Sequence, residues 1–300
     1  MVDLNRLIIC PTCHADLPLQ TIREEGSACC FKCGRRYTFK HGIFNMTPLP
    51  PPDEIPQSRW GTWQQLQDNG LRCYITAPEF NLSTGHREDE RAFKTFCQSS
   101  GLILDVGCGP QAAYPTYLPE RGQVVGIDPL LGQQPREFSF VQGIGEYLPF
   151  PDGTFDHVLY ASSLDHVMDP ERSLAEAVRC LKPGGHLNLW IDGLAADNSA
   201  PNPSWLGRHR ALIKKGVSSL LRHEWLGTMG LRRFIFYMVS VARMKVPEGA
   251  ADYFHFVHLN VAAVCDWLSK LDLTIIRQQE YQSSDSVFIQ ARKQLAGPES

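Results

Sequence analysis

Two pairs of cysteines near the N-terminus are spaced to hold a metal ion. Cys10 and Cys13 form one C-x2-C knuckle, Cys30 and Cys33 a second, with sixteen residues between them. A turn of this kind presents both thiolates to one tetrahedral ion, and two turns complete the shell. Four thiolates leave no open coordination position, so the expected zinc is structural. So short a segment cannot bury enough apolar surface to fold alone, and metal binding would supply its folding free energy. Cys29 could replace Cys30 only as C-x3-C and is read as a spare thiol. The five scattered cysteines, Cys73, Cys97, Cys108, Cys180 and Cys265, read as small buried hydrophobes.

The second chemical stretch is ILDVGCGPQAA, residues 103–113. Gly107, Gly109 and Ala112 fit G-x-G-x-x-G/A, and Asp128 lies 19 residues past Gly109, both features of a dinucleotide loop. Charge argues the other way. Asp105 sends a carboxylate into the loop where a pyrophosphate would lie, and like charges in a partly dry site repel. S-adenosylmethionine reverses the sign, because it brings an ammonium and a sulfonium. Asp128 can accept its ribose hydroxyls. A plain strand-end carboxylate capping backbone amides remains the alternative for Asp105.

These residues need a scaffold, and the chain spells one out. Residues 102–106 form a continuous apolar run, as a strand buried on both faces would. Runs at 123–128, 138–142, 157–162 and 186–192 follow, with helical stretches between. In the clearest of these, 169–185, Asp169 is placed as N-cap and Pro170 in the first turn. Leu174, Val178 and Leu181 recur at helical spacing, and Lys182 to Gly185 end the helix. A helix at 261–271 and strands at 273–279 and 286–292 close the pattern. The expected fold class is α/β, a Rossmann-like, mostly parallel sheet with helices on both faces, plus a small N-terminal zinc ribbon. Its ligand belongs beyond the carboxyl ends of the strands. The expected organisation is a ribbon at 1–47, a proline-rich linker at 48–59, a helical extension at 60–100 with Gly101 as a C-cap, and the main domain at 101–293.

Four motifs, LILDVGCGP, VVGIDP, GEYLPFPDGTFDHV and LAEAVRCLKPGGHLNLW, stand in this order. Together they resemble class I S-adenosylmethionine-dependent methyltransferases, strongly over residues 102–191 and loosely beyond. The first 47 residues resemble the zinc ribbon of the tRNA-methyltransferase activator subunit. The resemblance implies that Asp105, Gly107 and Gly109 hold the methionine part of the cofactor and that Asp128 binds ribose. The family usually places an aspartate near the adenine two residues ahead of a glutamate; here Ile144 stands in that position. Backbone groups of Ile144 and Gly145, or Glu146, would replace the contact. Gln111 also stands where a third loop glycine is usual.

For the transfer itself, Asp165 and His166 lie at a strand end near the expected sulfonium, and His166 can act as a base near neutrality. A packed helix-start histidine is the alternative. His255 and His258 read as aromatic-rich packing, and Trp60 and Trp63 as acceptor-pocket lining or core. An insertion at 195–251 carries Arg208, Arg210, Lys214, Lys215, Arg222, Arg232, Arg233, Arg243 and Lys245 among large apolar residues. It is expected to be an amphipathic lid over an anionic or lipid-linked acceptor, with peripheral membrane contact through 205–246 as a companion possibility.

The chain has 300 residues, 43% hydrophobic and 20% charged, with a formal net charge of -3, which advertises no nucleic-acid partner. No run spans a bilayer and no secretion signal stands at the N-terminus, so the expected location is cytoplasmic. The expected activity is methyl transfer to a small-molecule, sugar or lipid-linked acceptor. A ribosomal-RNA guanine methyltransferase and a non-catalytic binding module on a degenerate fold are the rivals. The oligomeric state is not legible in the sequence.

Overall fold

A computed structural model describes residues 1–19, 25–78, 82, 87–120, 122–192, 236–237, 239–241, 243–282 and 285–295. Most of the basic insertion, including Arg208 through Arg233, lies outside the described residues. Among them one mixed sheet of ten strands organises the molecule. In chain order these are β1 (Gly26–Cys29), β2 (Arg36–Lys40), β3 (Ile43–Asn45), β4 (Leu102–Val106), β5 (Gln123–Asp128), β6 (Ser139–Gln142), β7 (Phe155–Ala161), β8 (Leu181–Asp192), β9 (Leu273–Tyr281) and β10 (Ser286–Lys293).

The spatial order is β1-β2-β3-β6-β5-β4-β7-β8-β10-β9. Pairings from β3 through β8 are parallel, while β10 runs antiparallel to both neighbours. From β4 the chain first walks one way, to β5 and β6, then crosses to β7 on the other side. That reversal opens a crevice at the carboxyl ends of β4 and β7. Alternate residues of the central strands serve opposite faces. Leu104, Val106, Val158 and Tyr160 join one core with helix α3 (Pro170–Cys180) and helix α4 (Val261–Lys270). Ile103 and Leu159 join the other, with Phe93 and Phe96 of helix α2 (Glu88–Cys97). Helices therefore cover both faces, as expected.

The ribbon is not a separate bead. β2 and β3 are joined through His41 and Gly42, both at positive φ, the two-residue turn that keeps hairpin strands in twist. β3 then pairs in parallel with β6, Phe44 opposite Val141 and Asn45 opposite Gln142. The Met46 amide donates to Gln142 at 2.7 Å and the Ile9 amide to Pro149 at 3.0 Å. Ile8, Cys10, Tyr37, Phe44 and Met46 belong to the same buried cluster as Val125 and Val141. The ribbon thus covers what would be an open sheet edge.

Local signals differ from the sequence in three places. Helix α1 (Gln57–Thr76) begins inside the stretch expected as linker, burying Trp60, Trp63, Leu66, Gly70 and Cys73 along one stripe. α2 is capped by Gln98 in the left-handed region; Gly101 takes its positive φ at the entry to β4. α3 is capped by Asp169, whose carboxylate accepts the Arg172 amide at 3.1 Å. Its buried stripe is Leu174, Ala177 and Cys180, so Val178 is only partly covered and Leu181 already opens β8. Lys182 to Gly185 are then a bulge between the Phe155–Leu181 and His157–His186 pairs. Among the described residues no helix is long and apolar enough to cross a membrane.

Because ribbon and sheet share one core, they should unfold together. Phe44→Ala should cost about 3–5 kcal/mol and leave a single urea transition. Two transitions, with only the ribbon shifted, would show independent units.

Candidate functional site

The crevice is built from the ends of β4, β5 and β7. After β4 the Gly107 amide donates to Ile127 O at 2.8 Å, and the Gly109 amide donates to Asp128 Oδ2 at 2.8 Å. Asp128 Oδ1 accepts the Leu130 amide at 2.8 Å. Arg136 closes the back of the loop, donating to the carbonyls of Gly109, Gln111 and Leu130 and stacking over Phe140. Gly107 and Gly109 both have positive φ. A Cβ on Gly107 would stand 2.4 Å from Ser163 Cβ, whereas one on Gly109 would meet nothing within 4 Å. The first glycine seats β7 against β4, and the second faces open space.

The two loop glycines offer no amide to an anion. The amides of Gly107 and Gly109 are directed to β5, and residues 110–120 contain no helix whose N-terminus could face a phosphate. The crevice instead collects acceptors. Asp105 is fully buried; its Oδ2 accepts the Tyr117 hydroxyl at 2.8 Å and its Oδ1 has no hydrogen-bond partner. Burial pushes the Asp105 carboxyl up to about 7, against the Tyr117 hydrogen bond. Burial also raises Asp128, partly opposed by the Leu130 amide. The Tyr74 phenol of α1 lies within electrostatic reach of Asp128 and Asp165.

The 144–146 segment divides by role. Ile144 is buried with Trp60, Trp63, Tyr147 and Met168, so both tryptophans pack on it as core. Gly145 fits against α3, where a Cβ would stand 2.4 Å from Ser173 Oγ. Glu146 is buried and accepts the amides of Met168 at 2.6 Å and Asp169 at 3.2 Å. Its carboxylate therefore fixes the chain just after Asp165 and His166.

Those two residues sit on a short 3-10 turn, Leu164–His166, beyond β7. Ser162 leaves the strand at positive φ, and the Ser163 hydroxyl donates to Val106 O at 2.5 Å. From the far side of the insertion, the amides of Phe256 and Val257 donate to Asp165 O at 2.9 and 3.1 Å. This brings His255 beside the pair: its Nε2 is 3.6 Å from Asp165 Oδ2, and His166 Nε2 is 3.7 Å from Asp165 Oδ1. His255 Nδ1 lies 2.8 Å from Asp252 Oδ2, and His258 Nε2 lies 3.3 Å from the same atom. Burial lowers His166, with Asp165 opposing, which favours the neutral imidazole. Of the two histidines read from sequence as packing, His255 thus faces the candidate catalytic pair, while His258 meets Asp252. Asp252, Tyr74 and Tyr117 are not singled out by the sequence; the three-residue spacing of Asp252 and His255 is the one local signal that could have found that pair.

In the ribbon, Cys10 Sγ is 3.5 Å from Cys33 Sγ and Cys13 Sγ is 3.4 Å from Cys30 Sγ, all four within 4.8 Å of one another. A tetrahedral ion with Zn–S bonds of about 2.3 Å needs sulfurs about 3.8 Å apart, so the cluster matches zinc in size and donor type. His14 and Gly34, each just after a knuckle, share the left-handed conformation. The Cys29 thiol turns instead to the Gly34 carbonyl at 3.5 Å.

Residues 104–189 match the family model of a methyltransferase domain. That segment, β4 through most of β8, is thus similar to a methyltransferase domain and lies in the Rossmann-like part of the sheet. Its curated relatives include an uncharacterised methyltransferase of Schizosaccharomyces pombe, 36% identical over 112 residues, covering 31% of this chain and 40% of that protein. A demethylmenaquinone methyltransferase of Renibacterium salmoninarum is 34% identical over 91 residues, covering 28% of this chain and 38% of that protein. A probable methyltransferase of Aspergillus luteorubrus is 35% identical over 181 residues, covering 50% and 61%. The chain thus spans about two fifths to three fifths of the length of these relatives. Among solved structures, a Burkholderia thailandensis 1,6-didemethyltoxoflavin-N1-methyltransferase aligns over 91% of this chain and 100% of its own, at 13% identity and a TM-score of 0.49.

The glycines give a stability test. Gly109→Ala should cost about 1–2 kcal/mol, from left-handed strain alone. Gly107→Ala adds the clash with Ser163 and should cost more, measured by urea unfolding. Equal costs would mean that Ser163 yields freely.

Proposed function

We propose that the chain transfers a methyl group from S-adenosylmethionine to a small-molecule acceptor. The observation that carries this is the orphaned, buried Asp105 oxygen beside a loop whose Gly107 and Gly109 amides are already used. A pyrophosphate would find acceptors where it needs donors; a cationic cofactor finds its countercharge. Asp105, Gly107 and Gly109 would hold the methionine end, and Asp128 would accept from ribose. Adenine would meet the backbone near Ile144 and Gly145, with no side-chain carboxylate at position 144. The cofactor, when bound, supplies the electrophilic methyl. The protein's part is to align the acceptor and take its proton, for which neutral His166 beside Asp165 is placed. Quinone precursors are one acceptor class in keeping with the relatives, and the acceptor of this chain is proposed no more finely than a small molecule. The cysteine cluster would hold one structural zinc.

A ligand ammonium beside Asp105 favours its carboxylate, so binding should release a proton while the carboxyl is partly protonated. S-Adenosylhomocysteine should therefore bind more tightly as pH rises from 6 to 7.5, by up to about tenfold per unit below the carboxyl's pKa. Calorimetry should show this slope vanish in Asp105→Asn, while NAD should not bind at any pH. Failure of the adenosyl ligand to bind would favour a non-catalytic module.

Metal analysis tests the ribbon. The chain should carry about one zinc, lost in Cys30→Ser and kept in Cys29→Ser. Retention in the first and loss in the second would reverse the ligand assignment.

A further inference from the structure

Three potential metal donors converge at the mouth of the crevice. Asp165, His166 and His255 each bring one donor atom, all within 4.8 Å of one another. The two histidine–carboxylate distances, 3.7 and 3.6 Å, are too long for hydrogen bonds. Asp165 is about nine-tenths buried, and its Oδ1 accepts no hydrogen bond. Such a group is costly unless something cationic answers it.

The imidazoles are held in a matching orientation. His166 Nδ1 is 3.1 Å from the Phe254 carbonyl, which can only accept, so this nitrogen carries the proton and Nε2 offers a lone pair. His255 Nδ1 donates likewise to Asp252, which turns Nε2 toward Asp165. A carbonyl or carboxylate behind each ring is the usual second shell of a metal-binding histidine. Asp252 is itself fixed, accepting the amides of Phe254 at 2.7 Å and His255 at 2.8 Å through Oδ1. The Asp165 carbonyl, by accepting from Phe256 and Val257, locks the two segments in register.

We propose that Asp165, His166 and His255 form a two-histidine, one-carboxylate site for a divalent transition-metal ion, with open positions facing the crevice. Bonds of about 2.0–2.2 Å put such donors roughly 3–3.4 Å apart, so each histidine must close on the carboxylate by up to about 0.7 Å. Asp252 orients His255 from behind, and His258 stands outside the donor set. The ion's chemical use, holding an acceptor oxygen and easing its deprotonation in place of free His166, rests on the methyl-transfer reading. Its binding does not.

The test is a Co2+ titration of the full chain with its cysteine cluster already loaded with zinc, followed by calorimetry and visible absorption. One further equivalent should bind, with weak d–d bands and no thiolate charge-transfer band. Asp165→Asn and His255→Gln should each weaken it at least tenfold. Asp252→Asn should weaken it about 10–100-fold, and His258→Gln should leave it unchanged. S-Adenosylhomocysteine binding is followed in every variant, to separate loss of this site from loss of the fold or of the cofactor crevice. No second equivalent in the unmutated chain would overturn the site, whatever the variants do. So would an equivalent that survives Asp165→Asn but is lost in His258→Gln, which would place the ion on the Asp252 side.

Discussion

The Asp128 carboxylate sets the chemistry of the crevice by occupying its donors. One oxygen takes the Gly109 amide and the other the Leu130 amide, so the glycine loop is tied to β5 and turned away from any anion. Arg136 neutralises the back of the loop without entering the crevice, since its contacts are carbonyls and aromatic rings. What remains in front is an excess of acceptors: the buried Asp105, Asp128 and Asp165 at the strand ends. Charge burial of this kind is unfavourable in the free protein. It becomes an advantage when the ligand is a cation, because the countercharge is already in place.

The same economy runs through the supports. Glu146 stands where a cofactor contact would be sought, yet it holds the amides that follow the Asp165–His166 turn. Ser163 spans the switch point by donating to Val106 O while excluding any side chain from position 107. The ribbon continues the sheet past β6, and its Ile9 amide holds the Pro149 carbonyl just beyond the 144–148 loop. Cysteine cluster, sheet edge and the 144–148 loop are therefore mechanically joined, although the cysteines are far from the crevice in sequence.

Much of this scaffold is legible from residue types. Strands buried on both faces read as apolar runs because no alternation is demanded of them, and Asp169 reads as a cap because its side chain completes a local hydrogen bond. The knuckles are equally local. Less legible are the features fixed by distant contacts. The pairing of β3 with β6 depends on an edge that no short window reveals. Gln98 takes the left-handed cap that a glycine pattern assigns to Gly101, because the strand entry claims that glycine. His255 reaches Asp165 only because backbone amides some ninety residues away in sequence dock on the Asp165 carbonyl. The lid proposed for 195–251 rests on residues that are mostly outside those described.

The central claim is that a buried carboxylate, not a nest of amides, receives the cofactor. Carbon-13 NMR of the Asp105 side-chain carboxyl measures this directly, with Asp105→Asn fixing the assignment. In the free protein the resonance should titrate with a midpoint of about 7. With S-adenosylhomocysteine bound, the midpoint should fall well below that, because the ligand's ammonium holds the charged form. A midpoint that stays near 7 in the saturated complex, or rises, would contradict it.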